Sequence, residues 1–197
     1  GREALESDYT VISRPVDKRE NYIKRCVALP GDEIQIVDGE LIVNGNPEEG
    51  FAEKQYCYSI RTSSPLSSYA IEKMGITELS GSGTHYFSPL TDGMVEQLLK
   101  MDNVLSVERY IVPEECFPYA GAYTWTADNF GPLVIPQKGA TVELTLENLP
   151  LYERIIDVYE ENDLTVNDAD IYINGQKSTN YTFNIDYYCT MVDNSHN

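Results

Sequence analysis

One lysine, Lys24, has sequence surroundings that could turn an amine into a base. It lies within a run of β-forming residues, so its side chain should share one strand face with Tyr22, Cys26 and Ala28. Because burial on such a mostly apolar face disfavours the ammonium, it lowers the pKa of a lysine. A neutral amine can accept the proton of a hydroxyl nucleophile, which makes Lys24 a candidate general base. The alternative is an edge lysine whose stem lies along the sheet while its charge reaches water.

The other residues that carry chemistry form weaker patterns. His85 and His196 lie far apart in the sequence and lack an obvious carboxylate partner. The segment Asn180-Tyr181-Thr182 matches a glycosylation sequon, a common chance match. Clustered aspartates near a predicted hairpin are a weak candidate for calcium binding, namely Asp163, Asp168 and Asp170.

The four cysteines predict no metal site, because with two histidines they match no zinc-binding spacing. Cys57 and Cys116 would pair if the protein were exported to an oxidising compartment. Cys26 and Cys189 lie in apolar strand-like runs and are expected to be free and buried. Cys26 is also a weak candidate for a reactive thiol beside Lys24. No metal or organic cofactor is predicted.

The lysine strand, expected over residues 21–29, leads into a β-meander. Pro30-Gly31-Asp32 predicts a turn, after which residues 33–37 alternate polar and apolar side chains. Asp38-Gly39 is a strong signal for a two-residue hairpin, and residues 40–43 form the returning strand. Asn44-Gly45 predicts a further turn.

The rest of the chain predicts a mixture of helices and strands. A helix is expected over residues 91–101 and a strand over residues 104–112. Strands are also expected over residues 132–136 and 141–145. A second helix should run from Asn148 to about Glu160. The apolar stripe of this helix is predicted at Tyr152, Ile155, Ile156 and Tyr159. A strand run is predicted further on, over residues 181–192.

Residues 170–175 repeat the pattern of residues 40–45, with an acidic residue, three strand formers and Asn-Gly. Two similar hairpin edges, rather than a true repeat, are the favoured interpretation.

Composition excludes several classes of function. The 197 residues carry a formal net charge of −18, which disfavours nucleic acid as a partner. Hydrophobic residues make up 42% of the chain, enough for a folded core. No apolar run is long enough to span a membrane, and the first residues do not form a signal peptide.

The lysine segment closely resembles the lysine-bearing box of bacterial type I signal peptidases, which are membrane-anchored serine–lysine endopeptidases. That box has the pattern Tyr-Ile-Lys-Arg, two or three small apolar residues and Leu-Pro-Gly-Asp. This chain has Tyr22-Ile23-Lys24-Arg25-Cys26-Val27-Ala28-Leu29-Pro30-Gly31-Asp32. Residues 8–15 resemble the preceding family box. The C-terminal residues 187–197 resemble the last box, which contains Met-Gly-Asp-Asn-Arg.

The resemblance assigns roles to individual residues. Lys24 matches the general base, and Arg25 matches the basic residue after it. Tyr22 and Ile23 match one wall of the substrate cleft, and Thr190 and Met191 match the facing wall. Asp193 and Asn194 match supporting positions of the last box. The implied substrates are signal peptides of exported precursors with Ala-x-Ala-type cleavage sites, which would bind as a strand added between these walls.

The sequence also departs from the family pattern. The family nucleophile lies in Ser-Met-x-Pro, which does not occur in this chain. We therefore expect a fragment that lacks its serine and its upstream membrane anchor and is itself inactive. Val192 stands where the family has glycine, and Ser195 stands where it has arginine. A catalytically impaired binding homologue is therefore one alternative function.

The resulting prediction is a mostly β protein with an α+β insertion. Residues 1–46 and 170–197 should form a signal-peptidase-like β core, and residues 47–169 an inserted second lobe. The predicted location is the cytoplasmic membrane, with the catalytic domain on the periplasmic or extracytoplasmic side. An exported β-rich surface domain unrelated to proteolysis is the other alternative, motivated by the acidic, tyrosine-rich composition.

Overall fold

The structure, a computed structural model, describes residue 15, residues 24–48 and residues 54–192. Short strands dominate it, which confirms the mostly β prediction. The strands are β1 Lys24–Ala28, β2 Glu33–Val37, β3 Glu40–Val43, β4 Asn46–Pro47, β5 Tyr56–Thr62, β6 Ser80–Ser82, β7 His85–Leu90, β8 Val104–Arg109, β9 Phe130–Val134, β10 Thr141–Glu143, β11 Leu164–Asn167, β12 Asp170–Ile173, β13 Gln176–Lys177, β14 Asn180–Thr182 and β15 Cys189–Val192. The helices are α1 Ser68–Lys73, α2 Asp92–Leu99 and α3 Leu149–Arg154, which continues as a π-helical turn over Ile155–Tyr159.

The strands form small antiparallel sheets. The larger two have the strand orders β4-β3-β2-β9 and β6-β7-β5-β8, and β11-β12-β13 forms a three-stranded sheet. Two strand pairs, β1-β15 and β10-β14, complete the set. Strands β2 to β4, β6 and β7, and β11 to β13 form hairpins with their neighbours in the chain, while β1, β9 and β14 each pair with a strand from a distant segment.

The predicted meander is confirmed. Ile36 lies opposite Leu41 and Ile34 opposite Val43 in the β2–β3 hairpin. At the turn, φ is 49° for Asp38 and 81° for Gly39, the conformation that favours Asp-Gly in two-residue hairpins. The alternation of polar and apolar residues fixes this register, since a one-residue slip would expose the apolar face.

The β6-β7-β5-β8 sheet, which we call the middle sheet, is stabilised by α2. The bounds of α2 are close to those of the predicted helix. The Thr91 hydroxyl accepts a hydrogen bond from Met94 N at 3.3 Å and caps the first turn. Leu98 is fully buried in the core of this sheet, together with Ile60 and Leu90. The predicted strand over residues 104–112 ends earlier, at Arg109.

The predicted second helix is present, but two details differ. Asn148 already has helical backbone angles, so its side chain cannot cap the helix and instead accepts a hydrogen bond from Thr145 N at 2.8 Å. Ile156 is fully buried as predicted, whereas Tyr159 is 53% exposed. The wider π-helical turn changes the helical repeat and rotates Tyr159 away from the apolar stripe.

Strand β9 joins the middle of the chain to the meander. It pairs with β2, with Ile34 opposite Leu133 and Ile36 opposite Phe130. One segment of the predicted insertion thus contributes a strand to the sheet that contains the predicted core hairpin. The division into core and insertion stays a prediction. Residues 8–14 of the segment that resembles the preceding family box lie outside the described residues.

Candidate active site

The pairing of β1 with β15 brings together residues from opposite ends of the described chain. Lys24 lies opposite Val192, Arg25 opposite Met191 and Cys26 opposite Thr190. Four predicted site residues, Lys24, Arg25, Thr190 and Met191, therefore lie on two adjacent strands.

The remaining predicted site residues lie outside the described residues. These are Tyr22, Ile23, Asp193 and Asn194.

The β1–β15 pair has exposed residues on the face of Lys24. Directly opposite residues of an antiparallel pair share a face, so Cys26 and Thr190, both exposed, lie together. Lys24, two residues before Cys26, lies on that same face and is half-buried. An extended chain running along this face would therefore pass Lys24 and Thr190.

The prediction that Ala28 shares a strand face with Lys24 is wrong. The register shifts between Cys26 and Ala28, so that Ala28 lies opposite Cys189. Ala28 is 2% exposed and packs against Ile34 and Ile135, whereas Cys26 is exposed. A bulge changes the alternation of side chains, which is why a strict period of two misplaces Ala28.

The turn after β1 is held by Asp32. Its carboxylate accepts hydrogen bonds from Leu29 N and from the Asn44 amide, both at 2.7 Å. The bond from Asn44, followed by that from Leu29, lowers the pKa of the Asp32 carboxyl. Asp32 stays ionised as a result and ties the end of β1 to the β3–β4 turn.

Cys26 and Cys189, the two cysteines of the β1–β15 pair, are both free thiols, but only Cys189 is partly buried. Burial raises the pKa of the Cys189 thiol, and the nearby Cys26 raises it further. Cys26 is exposed, so the expectation that it is buried is wrong. Its thiol donates to Ala28 O at 3.5 Å within its own strand.

Other predicted candidates lie away from the β1–β15 pair. Cys57 and Cys116 are both free thiols, and burial raises the pKa of each. His85 is exposed, with its Nε2 atom 2.9 Å from the Ser59 hydroxyl. Asp170 forms an ion pair with Lys177 at 2.6 Å. His196 lies outside the described residues.

Within residues 24–48 and 54–192, no group of His, Cys, Asp or Glu side chains is arranged to hold a metal ion. None of the helices in the described part of the chain is long and apolar enough to cross a membrane.

Sequence reasoning missed the residue that organises the approach to β15. The Glu160 carboxylate accepts hydrogen bonds from Tyr181, Asn184 and Tyr187, all located shortly before that strand. The sequence showed Glu160 only as the end of a helix, because its partners lie 21 to 27 residues further along the chain.

Comparisons with known proteins identify the family of the chain. A family model described as signal peptidase, peptidase S26 matches residues 2–110, more than half of the chain. Signal peptidase I of Rickettsia felis, of Rickettsia conorii and of Rickettsia prowazekii is in each case 27% identical over 128 residues. This match covers 65% of the chain and 42% of each relative.

The chain therefore spans less than half the length of these relatives. No solved structure matches it. The family match includes Lys24 and the meander. It argues against the alternative of an exported surface domain that is unrelated to peptidases. The chain belongs to the signal peptidase family, peptidase S26.

Proposed function

We propose that this chain forms part of a signal peptidase I, an endopeptidase that removes signal peptides from exported precursors, with Lys24 as its general base. The observation that carries the proposal is the register of β1 and β15, which sets Lys24 opposite Val192 and on the same face as Thr190, with Met191 opposite Arg25. These residues come from the two segments that resemble the family boxes, and they meet in one strand pair.

The substrate is an extended signal peptide that adds as a strand along the site. Backbone hydrogen bonds would give affinity, while pockets along the walls would select the small side chains of an Ala-x-Ala site. The walls are assigned to Thr190 and Met191 on β15, and to Tyr22 and Ile23 before β1. Thr190 is exposed on the face of Lys24, which supports a wall that contacts ligand there, whereas Met191 is half-buried on the face of Arg25.

The reaction is acyl transfer by a serine and a lysine. A serine hydroxyl, expected in a Ser-Met-x-Pro segment, attacks the scissile carbonyl and gives its proton to the Lys24 amine. The ammonium then donates that proton to the leaving amine, and water releases the acyl group from the serine. This mechanism needs no metal or organic cofactor. The active protein is placed in the membrane with its catalytic part on the extracytoplasmic side.

The domain division is also part of the proposal. Residues 1–46 and 170–197 form the catalytic core, and residues 47–169 form an inserted lobe. The pairing of β9 with β2 supports adding one strand of that lobe, Phe130–Val134, to the core sheet.

Cleavage by the complete gene product that carries this chain tests the proposal. The protein is incubated in detergent with a precursor bearing an Ala-x-Ala site, and Lys24→Ala is compared with Lys100→Ala. Lys100 is an exposed lysine after α2 and serves as the matched control. We expect wild type and Lys100→Ala to cleave, and Lys24→Ala to lose about 10³-fold or more in rate. Equal cleavage by Lys24→Ala would remove Lys24 as the base.

A second candidate is a homologue that binds signal peptides without cleaving them. Its supporting observation is that Val192, which replaces a family glycine, lies directly opposite Lys24. Glycine permits a close backbone approach that a β-branched residue resists. This candidate predicts peptide binding but no cleavage by wild type, and cleavage after Val192→Gly combined with Ser195→Arg.

A further inference from the structure

Two segments of the chain have the same three-stranded structure. Residues 32–48 and 162–178 are related by a constant separation of 130 residues, so that Ile34 corresponds to Leu164 and Leu41 to Ile171. The register of β2 with β3 is repeated by β11 with β12, and that of β3 with β4 by β12 with β13. The likeness therefore extends well beyond two hairpin edges.

The side-chain hydrogen bonds of the two units also correspond. Asn44 accepts from Glu33 N at 2.9 Å, and Asn174 accepts from Asp163 N at the same distance. Each asparagine amide then donates to the residue before that backbone group, which is Asp32 in the first unit and Asn162 in the second. We call Asp32 and Asn162 the anchor residues of their units.

The anchor residues connect each unit to a different part of the site. Asp32 bonds Leu29 at the end of β1. The Asn162 amide donates to the Tyr181 hydroxyl at 2.9 Å, and that hydroxyl donates to Glu160 at 2.5 Å. The first unit thus fixes β1, and the second unit leads through Tyr181 to Glu160.

Glu160 holds the segment that leads into β15. Beyond Tyr181, its carboxylate accepts from Asn184 N at 3.0 Å, from the Asn184 amide at 2.7 Å and from the Tyr187 hydroxyl at 3.2 Å. Residues 183–188 have no regular secondary structure. Their path is therefore determined by these bonds, by the core contacts of Phe183 and Tyr187, by the Asp186 carboxylate, which accepts from Lys138 N at 2.8 Å, and by a few backbone bonds.

We infer that Glu160 is a positioning residue of the peptidase site, which sets β15 against β1 and so places Thr190 on the same face as Lys24. The inference rests on the proposed function. Glu160 contacts neither substrate nor reacting atoms and acts through Tyr187 and Asn184.

Hydrogen exchange of the complete chain tests the structural half of the inference. Glu160→Gln is compared with Glu153→Gln, an exposed glutamate on α3. We expect the amides of residues 189–192 to exchange about tenfold faster in Glu160→Gln, with β5 and β7 unchanged and no effect of Glu153→Gln. Tyr187→Phe, which removes one hydroxyl, should give part of this increase. Unchanged exchange in β15, or an equal increase everywhere, would overturn the inference.

Cleavage by the complete gene product tests the functional half. Glu160→Gln should lower kcat/KM about tenfold, while Ile60→Val, which loosens the core of the middle sheet, should change it less than about twofold. Equal losses in both variants would show a general effect of stability and contradict a positioning role. If wild type does not cleave but β15 exchange responds as expected, the proposed function fails while the structural role of Glu160 stands.

Discussion

At the scale of single residues, Glu160 shows how opposing effects decide a pKa. Partial burial raises the pKa of its carboxyl, but the hydrogen bonds from Tyr181, Asn184 and Tyr187 together outweigh burial and lower it. The pKa values of the tyrosines move in the opposite direction. Burial and the neighbouring Glu160 carboxylate raise the pKa of Tyr181 to about 12 and also raise the pKa of Tyr187. The cluster is therefore most stable with an ionised Glu160 and neutral tyrosines.

The stability contributed by Glu160 should depend on pH. Its pKa is lower in the folded protein than its ordinary value of 4.5, so the contribution is complete above that value and decreases as pH falls through the folded pKa. Glu160→Gln should lower the free energy of unfolding by about 2 kcal/mol at pH 7, and by less below pH 4.5. Urea unfolding of both proteins between pH 7 and pH 3.5 measures this. A difference that grows at acid pH would contradict the assignment.

At the scale of elements, β9 meets β2 closely enough to require a glycine. Gly131 has φ of 85°, and a Cβ atom there would lie 2.6 Å from Ile34 O. Gly139 has a similar φ of 81° but no atom within 4 Å of a Cβ position. The two glycines therefore share the backbone strain of a substitution but differ in the space available.

Replacing each glycine by alanine separates these two effects. Gly139→Ala should cost about 1–2 kcal/mol from the left-handed backbone alone. Gly131→Ala should cost about 2 kcal/mol more, because the new methyl group overlaps the β2 backbone. The free energies of unfolding in urea check the difference, and equal losses would show that β9 can move away from β2 without cost.

Local elements were predictable from the sequence, while their long-range pairings were only partly so. The β2–β3 hairpin depends on Asp38-Gly39 and on alternation within a few residues, and both signals are local. The resemblance to a family predicts a substrate strand between the two walls of the cleft, but not the direct pairing of β1 with β15, which leaves no room for a strand between them. No sequence signal placed β9 beside β2, because that contact depends on the core formed around Ile34 and Ile135.

At the scale of the whole molecule, one arginine connects the middle sheet to the meander. The Arg109 guanidinium, on β8, donates to Asp38 O at 2.7 Å and lies 3.6 Å from the centre of the Tyr56 ring. The Tyr56 hydroxyl and Lys54 both bond Glu40 on the returning strand, and Lys54, followed by Tyr56, lowers the pKa of the Glu40 carboxyl. These contacts fix the β2–β3 turn against the β6-β7-β5-β8 sheet.

Substituting this arginine by lysine should weaken the connection. Lysine keeps the charge but cannot lie flat on Tyr56 while donating to Asp38 O, so Arg109→Lys should cost about 1–2 kcal/mol. Arg61→Lys, on an exposed position of β5, is the control and should cost less than about 0.5 kcal/mol. Urea unfolding compares the two variants. A loss in Arg61→Lys as large as in Arg109→Lys would mean that the stacking contributes little.

The pairing of β1 with β15 has a consequence for biosynthesis. Lys24 is among the first residues of the described chain to leave the ribosome, but its partner strand is among the last. Closing so long a loop costs entropy that only the finished contacts offset, so pairing of such distant segments is slow. A nascent chain therefore carries β1 without its partner until residues 189–192 have emerged, and the two strands can pair only when nearly the whole described chain has been made.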